Sequence, residues 1–484
     1  MSVQREVTLS KPAACNRNPT IMSKPLWEGF SYYEHQVKAV EWMVKQEKDG
    51  VTFEDSTIRG GLLADDMGLG KTIELIGLIV ENQVPRTLLV VPAPLIGQWC
   101  TALKRASLSV YIGENGKWNS LNVGNSEEPA VYIVNYEKTY TSCFQLLVGG
   151  HGGFDRIILD EAHRIRNPTS SAGAVCNAVK AAYRWAVTGT PVVNSLKDAV
   201  ALFRFVGLKR ENNTWEKEYD ELVPALTLRR SIRDMRSQLV DAPPEPVIHD
   251  VVLNFETEEE MTFYRGIQGA VQDTIFNSDS SSSVMLGLLR LRQISVHPQV
   301  YIESKKREAA GYSREDWTLP VTKFEGIRRM LTAEANDDGE PHKYIFMCHF
   351  KEEIVLLKKF LEEEGLLDKV FTYDGTMDKG SQKLSLGLAK KARGRVGLLM
   401  QIHAGGVGLN AQEFDRVVFM SSWWTAALME QAIARAYRMG QKKVVHVYNF
   451  ILAEETTTNI DRKIMHSVDV KKRIAEKFFD LCYI

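Results

Sequence analysis

Two adjacent carboxylates, Asp160 and Glu161, end an apolar run at residues 156–159. Like charges repel and a buried charge is costly, so a buried strand that ends on two acids requires an explanation. A surface turn that happens to be charged is one interpretation. The other is a site for a divalent cation and a polyphosphate, because one acid can hold the cation while the next orients and deprotonates an attacking water.

A glycine-rich turn about 90 residues earlier would complete such a site. The stretch GGLLADDMGLGKT (60–72) places a strand-like segment before a turn that contains Gly68, Gly70, Lys71 and Thr72. In such loops backbone N–H groups surround an anion, the lysine reaches the β- and γ-phosphates, and the threonine holds Mg²⁺. The strict pattern G-x-x-x-x-G-K-[ST] fails at its first position, which is Asp65. The two motifs together favour a nucleotide site over two unrelated surface turns.

A third candidate lies in QAIARAYRMGQ (431–441). Its spacing puts Gln431, Arg435 and Arg438 at i, i+4 and i+7, which is one face of a helix. Arginines on one face suit bidentate contact with phosphate oxygens and stabilisation of the charge that develops in phosphoryl transfer. A salt-bridged surface helix is the alternative interpretation of the same spacing.

Composition and charge limit the class of protein. A chain of 484 residues with 44% hydrophobic and 25% charged residues is typical of a globular protein with two or three domains. The net charge of −1 means that a nucleic-acid site would have to be a local basic groove. The six cysteines form no C-x-x-C pair, which argues against a structural zinc site. Without a signal peptide or a membrane-length apolar run, we expect a soluble intracellular protein.

Short, buried-looking apolar runs alternate with helical patterns along the chain. This alternation predicts an α/β fold with parallel, doubly wound sheets, arranged in two lobes with a helical insertion near their junction. A Pro-rich segment, DAPPEP (241–246), marks a hinge. The expected divisions are a flexible N-terminal segment (1–26), a first lobe (27–225), a helical insertion with the hinge (226–322), and a second lobe with a C-terminal helix (323–484).

The ordered set of motifs resembles the Swi/Snf-like group of superfamily-two helicase-type ATPases, which are DNA translocases. The resemblance covers about residues 28–475, in chain order. The similar stretches include ADDMGLGKT (64–72), LLVVPAPLIGQW (88–99), DEAH (160–163), VTGTPVVN (187–194), LTLRRSIRD (226–234), HAGGVGLN (403–410) and the arginine segment 431–441. The resemblance implies two RecA-like lobes with ATP in the cleft between them and finger arginines supplied by the second lobe.

The resemblance also implies a role for individual residues. The catalytic set would be Lys71, Asp160, Glu161, Arg435 and Arg438. The ATP-binding set would be Gln36, Asp66, Met67, Gly68, Leu69, Gly70, Lys71, Thr72, Gly408 and Gln431. Mg²⁺ would be held by Thr72 and Asp160, and the coupling residues would be His163, Thr188 and Thr190. DNA contacts would come from Gln98, Trp99, Arg164, Phe350, Gly405 and Gly406.

The implied function is an ATP- and Mg²⁺-dependent translocase on double-stranded DNA that remodels DNA or protein–DNA complexes in repair, transcription or replication. It would follow the DNA backbone with little sequence specificity, and a protein client or recruiting partner could direct it. Basic residues that could line the groove include Arg166, Arg229, Arg230, Lys390, Lys391, Arg393, Arg395, Lys442 and Lys443. The expected location is the nucleus for a eukaryotic protein, and the cytoplasm or a virus-infected cell for a bacterial or viral one.

Two alternatives stay open at this point. A strand-separating DNA or RNA helicase would be favoured by an inserted wedge hairpin, and the sequence shows no such insertion. A non-catalytic nucleic-acid-binding scaffold would be favoured by the loss of a catalytic residue. The presence of Lys71, Glu161 and Arg438 argues against that second alternative.

Overall fold

The structure is a computed structural model, and it describes residues 25–53, 56–121, 129–139, 153–208, 215, 217–239, 241–277, 280–309, 311–337, 341–402, 409–453 and 459–482. Two large sheets dominate it, one of eight strands and one of six. Helices cover both faces of each sheet, so the central strands are buried on both sides and appear in the sequence as continuous apolar runs. The predicted α/β fold with parallel sheets is confirmed.

The first sheet places the candidate catalytic segments side by side. In spatial order its strands are Thr227–Leu228, Gly60–Leu63, Tyr183–Val187, Arg156–Asp160, Arg86–Val91, Ala130–Asn135, Ser109–Glu114 and Lys117–Ser120. All neighbours are parallel except the last pair, which is antiparallel. A separate hairpin pairs Val51–Phe53 with Ser56–Ile58. Because parallel strands end at the same edge, the residues after Leu63, Asp160 and Val187 converge there.

The helices of the first lobe pack against this sheet in two layers. They are Glu34–Lys48, Lys71–Glu81, Ile96–Arg105, Tyr136–Thr139, Ser171–Ala178, Leu196–Val206 and Lys217–Leu226. The first of them is fixed to the sheet by a buried carboxylate, because Glu47 accepts hydrogen bonds from Arg156 Nε at 2.6 Å and from Trp185 Nε1 at 2.8 Å. The interior of this lobe therefore contains a buried carboxylate that has both a charged and a neutral hydrogen-bond donor as partners.

The second sheet is entirely parallel. In spatial order its strands are Val247–Leu253, His446–Leu452, Arg416–Phe419, Lys343–Cys348, Val396–Gln401 and Lys369–Tyr373. The helices that follow the first lobe are Ile232–Met235, Glu258–Asn277, Ser281–Val296, Pro298–Glu308, Thr322–Asp337, Lys351–Glu363, Lys379–Lys391, Ala426–Ile433 and Ile460–Cys482. Among the described helices, none combines the length and the apolar character that crossing a membrane requires.

The segment 226–322, expected to be a helical insertion, needs a correction. Two strands lie inside it, and they join different sheets: Thr227–Leu228 is an edge strand of the first sheet, and Val247–Leu253 is an edge strand of the second. The second of these pairs with His446–Leu452, which lies far away in the chain, so local patterning could not reveal it. The long helices of the insertion, Glu258–Asn277, Ser281–Val296 and Pro298–Glu308, begin after that strand, and only the short helix Ile232–Met235 precedes it among the described residues. The boundaries between the lobes stay predictions.

A candidate nucleotide site between the two lobes

The phosphate loop lies between strand Gly60–Leu63 and helix Lys71–Glu81. Gly68 and Gly70 have φ values of +95° and +96°, a region that side chains other than glycine rarely adopt. A Cβ added to Gly70 would come within 2.4 Å of Gln36 Nε2, so a side chain at this position would displace the glutamine. Lys71 Nζ donates to the carbonyl oxygens of Asp65 at 2.7 Å and Asp66 at 3.1 Å. The loop is therefore a compact backbone turn, and its lysine is bonded to two backbone carbonyl oxygens at the start of the loop.

The segment around Gln36 supports the loop from outside. His35 Nε2 donates to Leu69 O at 2.9 Å, and Gln36 Nε2 donates to the same carbonyl at 3.2 Å. Gln36 Oε1 accepts from Tyr33 N at 3.2 Å. The His35 and Gln36 side chains are buried. They attach helix Glu34–Lys48 to the phosphate loop at Leu69, and the contact of Gln36 with ATP stays a prediction.

The two acids that end the fourth strand of the first sheet have different surroundings. Asp160 is buried, and its Oδ2 accepts from Trp99 Nε1 at 2.8 Å while its Oδ1 accepts from Glu161 N at 3.0 Å. Burial, together with the charge of Glu161, raises the pKa of Asp160 to about 7. Glu161 has a φ of +53°, so the chain turns sharply there. Within the part of the chain that the structure describes, the buried Glu161 Oε2 accepts no hydrogen bond.

His163 joins the acid pair to the predicted coupling residues. Its Nδ1 lies 3.0 Å from Thr188 Oγ1, 3.5 Å from Thr190 Oγ1 and 3.4 Å from Glu161 Oε2. Burial lowers the pKa of His163 to about 3, and the charges of Arg166 and Arg164 add to the shift. The imidazole is therefore neutral near pH 7. The structure brings together the three coupling residues and the second acid.

The arginine segment of the second lobe lies against the phosphate loop, but the predicted single helix face is wrong. Helix Ala426–Ile433 ends before either arginine, and residues 434–440 form turns. Arg435 O accepts from Ala411 N at 3.0 Å, and the carbonyl of Ala436 accepts from a side chain, so neither oxygen continues a helical ladder. A Cβ added to Gly68 would lie 3.3 Å from Arg438 Cβ, which shows how closely the second lobe approaches.

The surroundings of the two arginines differ from open solvent. Arg435 is buried, and burial lowers its pKa to about 10 although the charge of Glu161 opposes the shift. Burial also lowers the pKa of Arg438. Both residues stay protonated near pH 7. Two cationic side chains of the second lobe, Arg435 and Arg438, thus lie next to the acid pair and the phosphate loop of the first lobe. Gln431 is buried on the preceding helix.

The predicted DNA contacts need one correction. Trp99 is 1% exposed and its indole is bonded to Asp160, so it supports the acid and does not form part of a surface. Gln98, its neighbour on helix Ile96–Arg105, is exposed. Arg164 donates to Glu137 Oε1 at 2.8 Å, and Phe350 is half-buried just before helix Lys351–Glu363. Gly405, Gly406 and Gly408 lie outside the described residues.

Two arginines that sequence reasoning assigned to a DNA groove belong instead to the phosphate loop. Arg230 Nε donates to the two carboxylate oxygens of Asp65 at 3.1 and 3.0 Å, and its Nη2 donates to Glu74 Oε1 at 2.8 Å. Arg229 Nη2 lies 2.5 Å from Asp66 Oδ1. Burial and the charge of Asp65 raise the pKa of Glu74 well above its usual range.

These contacts explain the sequence departure at Asp65. The acid that replaces the first glycine of the strict loop pattern is the buried partner of Arg230. A sequence signal for this pairing existed, because two consecutive acids at 65–66 face two consecutive arginines at 229–230. Only the fold shows that the two pairs meet.

A two-lobed α/β fold with a phosphate loop, a strand-end acid pair and arginines from the opposite lobe defines a helicase-type ATPase. Residues 35–300 match the SNF2-related domain, and residues 322–440 match the helicase conserved C-terminal domain. The first match alone covers more than half of the chain, and the chain belongs to the SNF2-related family. It is an ATP hydrolase of helicase superfamily two with an α/β fold of parallel sheets, as the sequence predicted.

The chain is also similar to individual proteins. The chain is 28% identical to a probable global transactivator of Orgyia pseudotsugata multicapsid polyhedrosis virus, over 94% of this chain and 93% of that protein. It is 25% identical to an uncharacterized ATP-dependent helicase of Mycoplasma pneumoniae, over 92% of this chain but only 42% of that protein. Among solved structures, the Sulfolobus solfataricus SWI2/SNF2 ATPase core in complex with dsDNA shows 21% identity and a TM-score of 0.40, with 94% of this chain and 97% of that chain covered.

Proposed function

We propose that this chain hydrolyses ATP between its lobes and uses the cycle to move along double-stranded DNA, remodelling DNA or protein–DNA complexes in repair, transcription or replication. The observation that carries the proposal is the closeness of Arg438, from the second lobe, to Gly68 in the phosphate loop. A site assembled from two lobes is complete only when the lobes are close together. Hydrolysis would therefore be tied to lobe movement, which is the requirement for a motor.

The acid pair and Thr72 fit a magnesium ion. Asp160 offers a buried carboxylate whose two oxygens are oriented by Trp99 and by the next backbone N–H, and Thr72 follows the loop lysine at the start of a helix. Hard oxygen donors of this kind are those that Mg²⁺ prefers. When bound, the ion would neutralise charge on the β- and γ-phosphates. Asp160 and Thr72 would hold it.

The remaining residues act on water and on the phosphates. Glu161 Oε2 accepts no hydrogen bond from the described residues, so it would be available to take a proton from the attacking water. The neutral His163 would hold Glu161 in register with Thr188 and Thr190. Lys71 would leave the loop carbonyls for the phosphate oxygens of ATP. Arg435 and Arg438 would stabilise the charge that spreads over those oxygens in the transition state.

DNA binding is the part of the proposal that depends most on the family. Gln98 is exposed, and the next residue of the same helix, Trp99, donates a hydrogen bond to Asp160. A DNA contact at Gln98 would therefore lie one residue away from the tryptophan that orients the proposed Mg²⁺ ligand. Arg164, Phe350, Gly405 and Gly406 are further proposed contacts. Duplex DNA would be followed along its backbone, with little dependence on sequence.

The test is steady-state ATP hydrolysis at low salt with no nucleic acid, duplex DNA, single-stranded DNA or RNA. We expect duplex DNA to stimulate ATP hydrolysis strongly. A Lys71→Ala variant serves as the inactive control. A preference for single strands or RNA would contradict the duplex translocase and favour the strand-separating alternative. Absence of hydrolysis under every condition would contradict the enzymatic proposal and favour a scaffold.

A further inference from the structure

The segment that leaves the first lobe for the second runs alongside the opening of the phosphate loop. Ala64 N donates to Leu228 O at 2.8 Å, and Asp66 N donates to Arg230 O at 2.9 Å. Ile232 N then donates to Asp66 Oδ2 at 3.0 Å. The parallel pairing of strands Thr227–Leu228 and Gly60–Leu63 therefore continues into the loop itself. The inter-lobe connection and the loop form one hydrogen-bonded unit.

Arg229 is the residue of this unit that contacts a third element. Its Nη1 donates to Ala64 O at 2.8 Å, its Nη2 lies 2.5 Å from Asp66 Oδ1, and its side chain is 9% exposed. The guanidinium carbon lies 4.2 Å from the centre of the Phe479 ring. A cation that is removed from water over an aromatic face is held more firmly than one at an open surface. Arg229 thus joins the loop to the C-terminal helix.

The helix that carries Phe479 extends from one lobe to the other. Near its start in the second lobe, Asp461 Oδ2 lies 2.8 Å from Lys323 Nζ and accepts from Leu452 N at 3.2 Å. Near its end, Phe478 is packed in the hydrophobic core of the first lobe. The helix is therefore anchored in both lobes, and Phe479 lies at its first-lobe end.

The space beside this contact is not filled by side chains. A cavity of about 380 Å³ lies between the lobes and the C-terminal helix, and Arg229, Asp66, Tyr437 and Phe479 are among its lining residues. Close-packed interiors resist displacement, whereas an unfilled interface allows neighbouring elements to shift. The helix therefore has room to move relative to the loop.

We propose that Arg229 is a positioning residue that transmits the position of the C-terminal helix, through Phe479, to the phosphate loop. The path is short: Phe479 contacts Arg229, Arg229 binds Asp66, and Asp66 O accepts from Lys71 Nζ at 3.1 Å. Movement of the lobes would thereby shift the lysine that reaches the nucleotide. The kinetic consequence rests on the proposed function, but the restraint on the loop does not.

Amide hydrogen exchange tests the restraint without ATP or DNA. The amides of Ala64 and Asp66 are bonded to the inter-lobe connection, so their exchange reports how firmly the loop is held. Phe479→Leu removes the aromatic face and retains an apolar side chain, and Lys477→Ala changes an exposed residue of the same helix. We expect about two- to thirtyfold faster exchange of these amides in Phe479→Leu, the range of one cation–π contact. Lys477→Ala should exchange these amides at the wild-type rate. If Phe479→Leu does so as well, the proposal is wrong.

Kinetics test the transmission and separate it from a general loss of structure. We expect Phe479→Leu to lower the ratio of DNA-stimulated to basal kcat and to leave the KM for ATP unchanged, while Phe479→Tyr retains the ring and restores the ratio. The double variant Arg229→Ala/Phe479→Leu should have the same ratio as Arg229→Ala alone, because both residues act through one contact. Additive losses would show that the two residues act independently and would contradict the proposal. If duplex DNA fails to stimulate the wild-type protein, the proposed function is wrong. The exchange experiment still tests whether Phe479 restrains the phosphate loop, because it requires neither ATP nor DNA.

Discussion

The hydrogen bond from Trp99 to Asp160 permits a sharp test of the candidate magnesium site. Trp99→Phe removes the Nε1 donor, which lies 2.8 Å from Asp160 Oδ2, and keeps an aromatic ring in the hydrophobic core. The other carboxylate oxygen keeps its bond from Glu161 N at 3.0 Å. The carboxylate would then be held at one oxygen and free to rotate about its terminal torsion.

The size of the effect follows from the type of bond. A hydrogen bond to a charged group contributes roughly 1.5–3 kcal/mol, and loss of a group that orients a metal ligand typically costs about 10- to 100-fold in metal affinity or activity. We therefore expect Trp99→Phe to raise the Mg²⁺ concentration that half-saturates ATP turnover by about 10- to 100-fold. Magnesium-dependent binding of a fluorescent ATP analogue should weaken in parallel, and this readout does not require turnover.

The chain supplies a matched control for this experiment. Trp185 is as deeply buried in the same core, and its Nε1 donates at 2.8 Å to another buried carboxylate, Glu47, away from the site. Trp185→Phe should therefore lose a similar amount of stability in urea unfolding and keep the wild-type Mg²⁺ requirement. If both variants keep the wild-type Mg²⁺ requirement, Trp99 stabilises the hydrophobic core only, and its proposed role in orienting Asp160 is refuted.

Two further predictions concern the base and the pH dependence of stability. Glu161→Gln retains the shape of the side chain and removes the proton acceptor, so ATP binding should persist while single-turnover hydrolysis falls by about 10²- to 10⁴-fold; hydrolysis at the wild-type rate would place the base elsewhere. Burial lowers the pKa of His297, whose Nδ1 caps a helix by accepting from Gln299 N at 2.9 Å, to about 3. As the pH falls below about 6.5 the unfolded state therefore binds a proton that the folded state does not, and stability falls by about 1.4 kcal/mol between pH 7.5 and 5.5. His297→Asn keeps a capping side chain without that proton, so its urea unfolding should show a smaller difference between the two pH values, and an equal difference would contradict this source of acid sensitivity.

The fold was predictable from sequence where burial is complete on both faces of a strand. The strands Arg86–Val91 and Lys343–Cys348 are almost entirely buried, so each appears as an uninterrupted apolar run. Strand Val247–Leu253 is different, because it forms an exposed sheet edge and two polar residues, His249 and Asp250, interrupt its apolar sequence. Its partner lies far along the chain, so neither composition nor spacing indicated that it belongs to the second sheet.

The site was predictable where each motif follows a strand, and unpredictable where partners meet only in three dimensions. The loop lysine, the acid pair and the coupling threonines come together because their strands share one sheet edge. Gln98 and Trp99 are neighbours in a motif that resembles a DNA contact, yet the helix exposes one and buries the other. The arginine turns after Ile433 escaped prediction because their carbonyls are bonded to a distant segment and a side chain.

The pairing of Asp65 with Arg230 also indicates where the lobes can rotate. Asp65 is fully buried, and removing one partner of a buried ion pair costs roughly 3–5 kcal/mol, so the connection cannot separate from the loop at Arg230 without a large loss. Ile232 is fixed as well, by its bond to Asp66 Oδ2. On the far side, Asp241 O accepts from Gly440 N of the second lobe at 3.1 Å. A change in lobe orientation that preserves these bonds must therefore be absorbed between Ile232 and Asp241, immediately before the Pro-rich segment. Asp65, which breaks the standard loop pattern, and its neighbour Asp66 thus fix the start of this connecting segment at the nucleotide site.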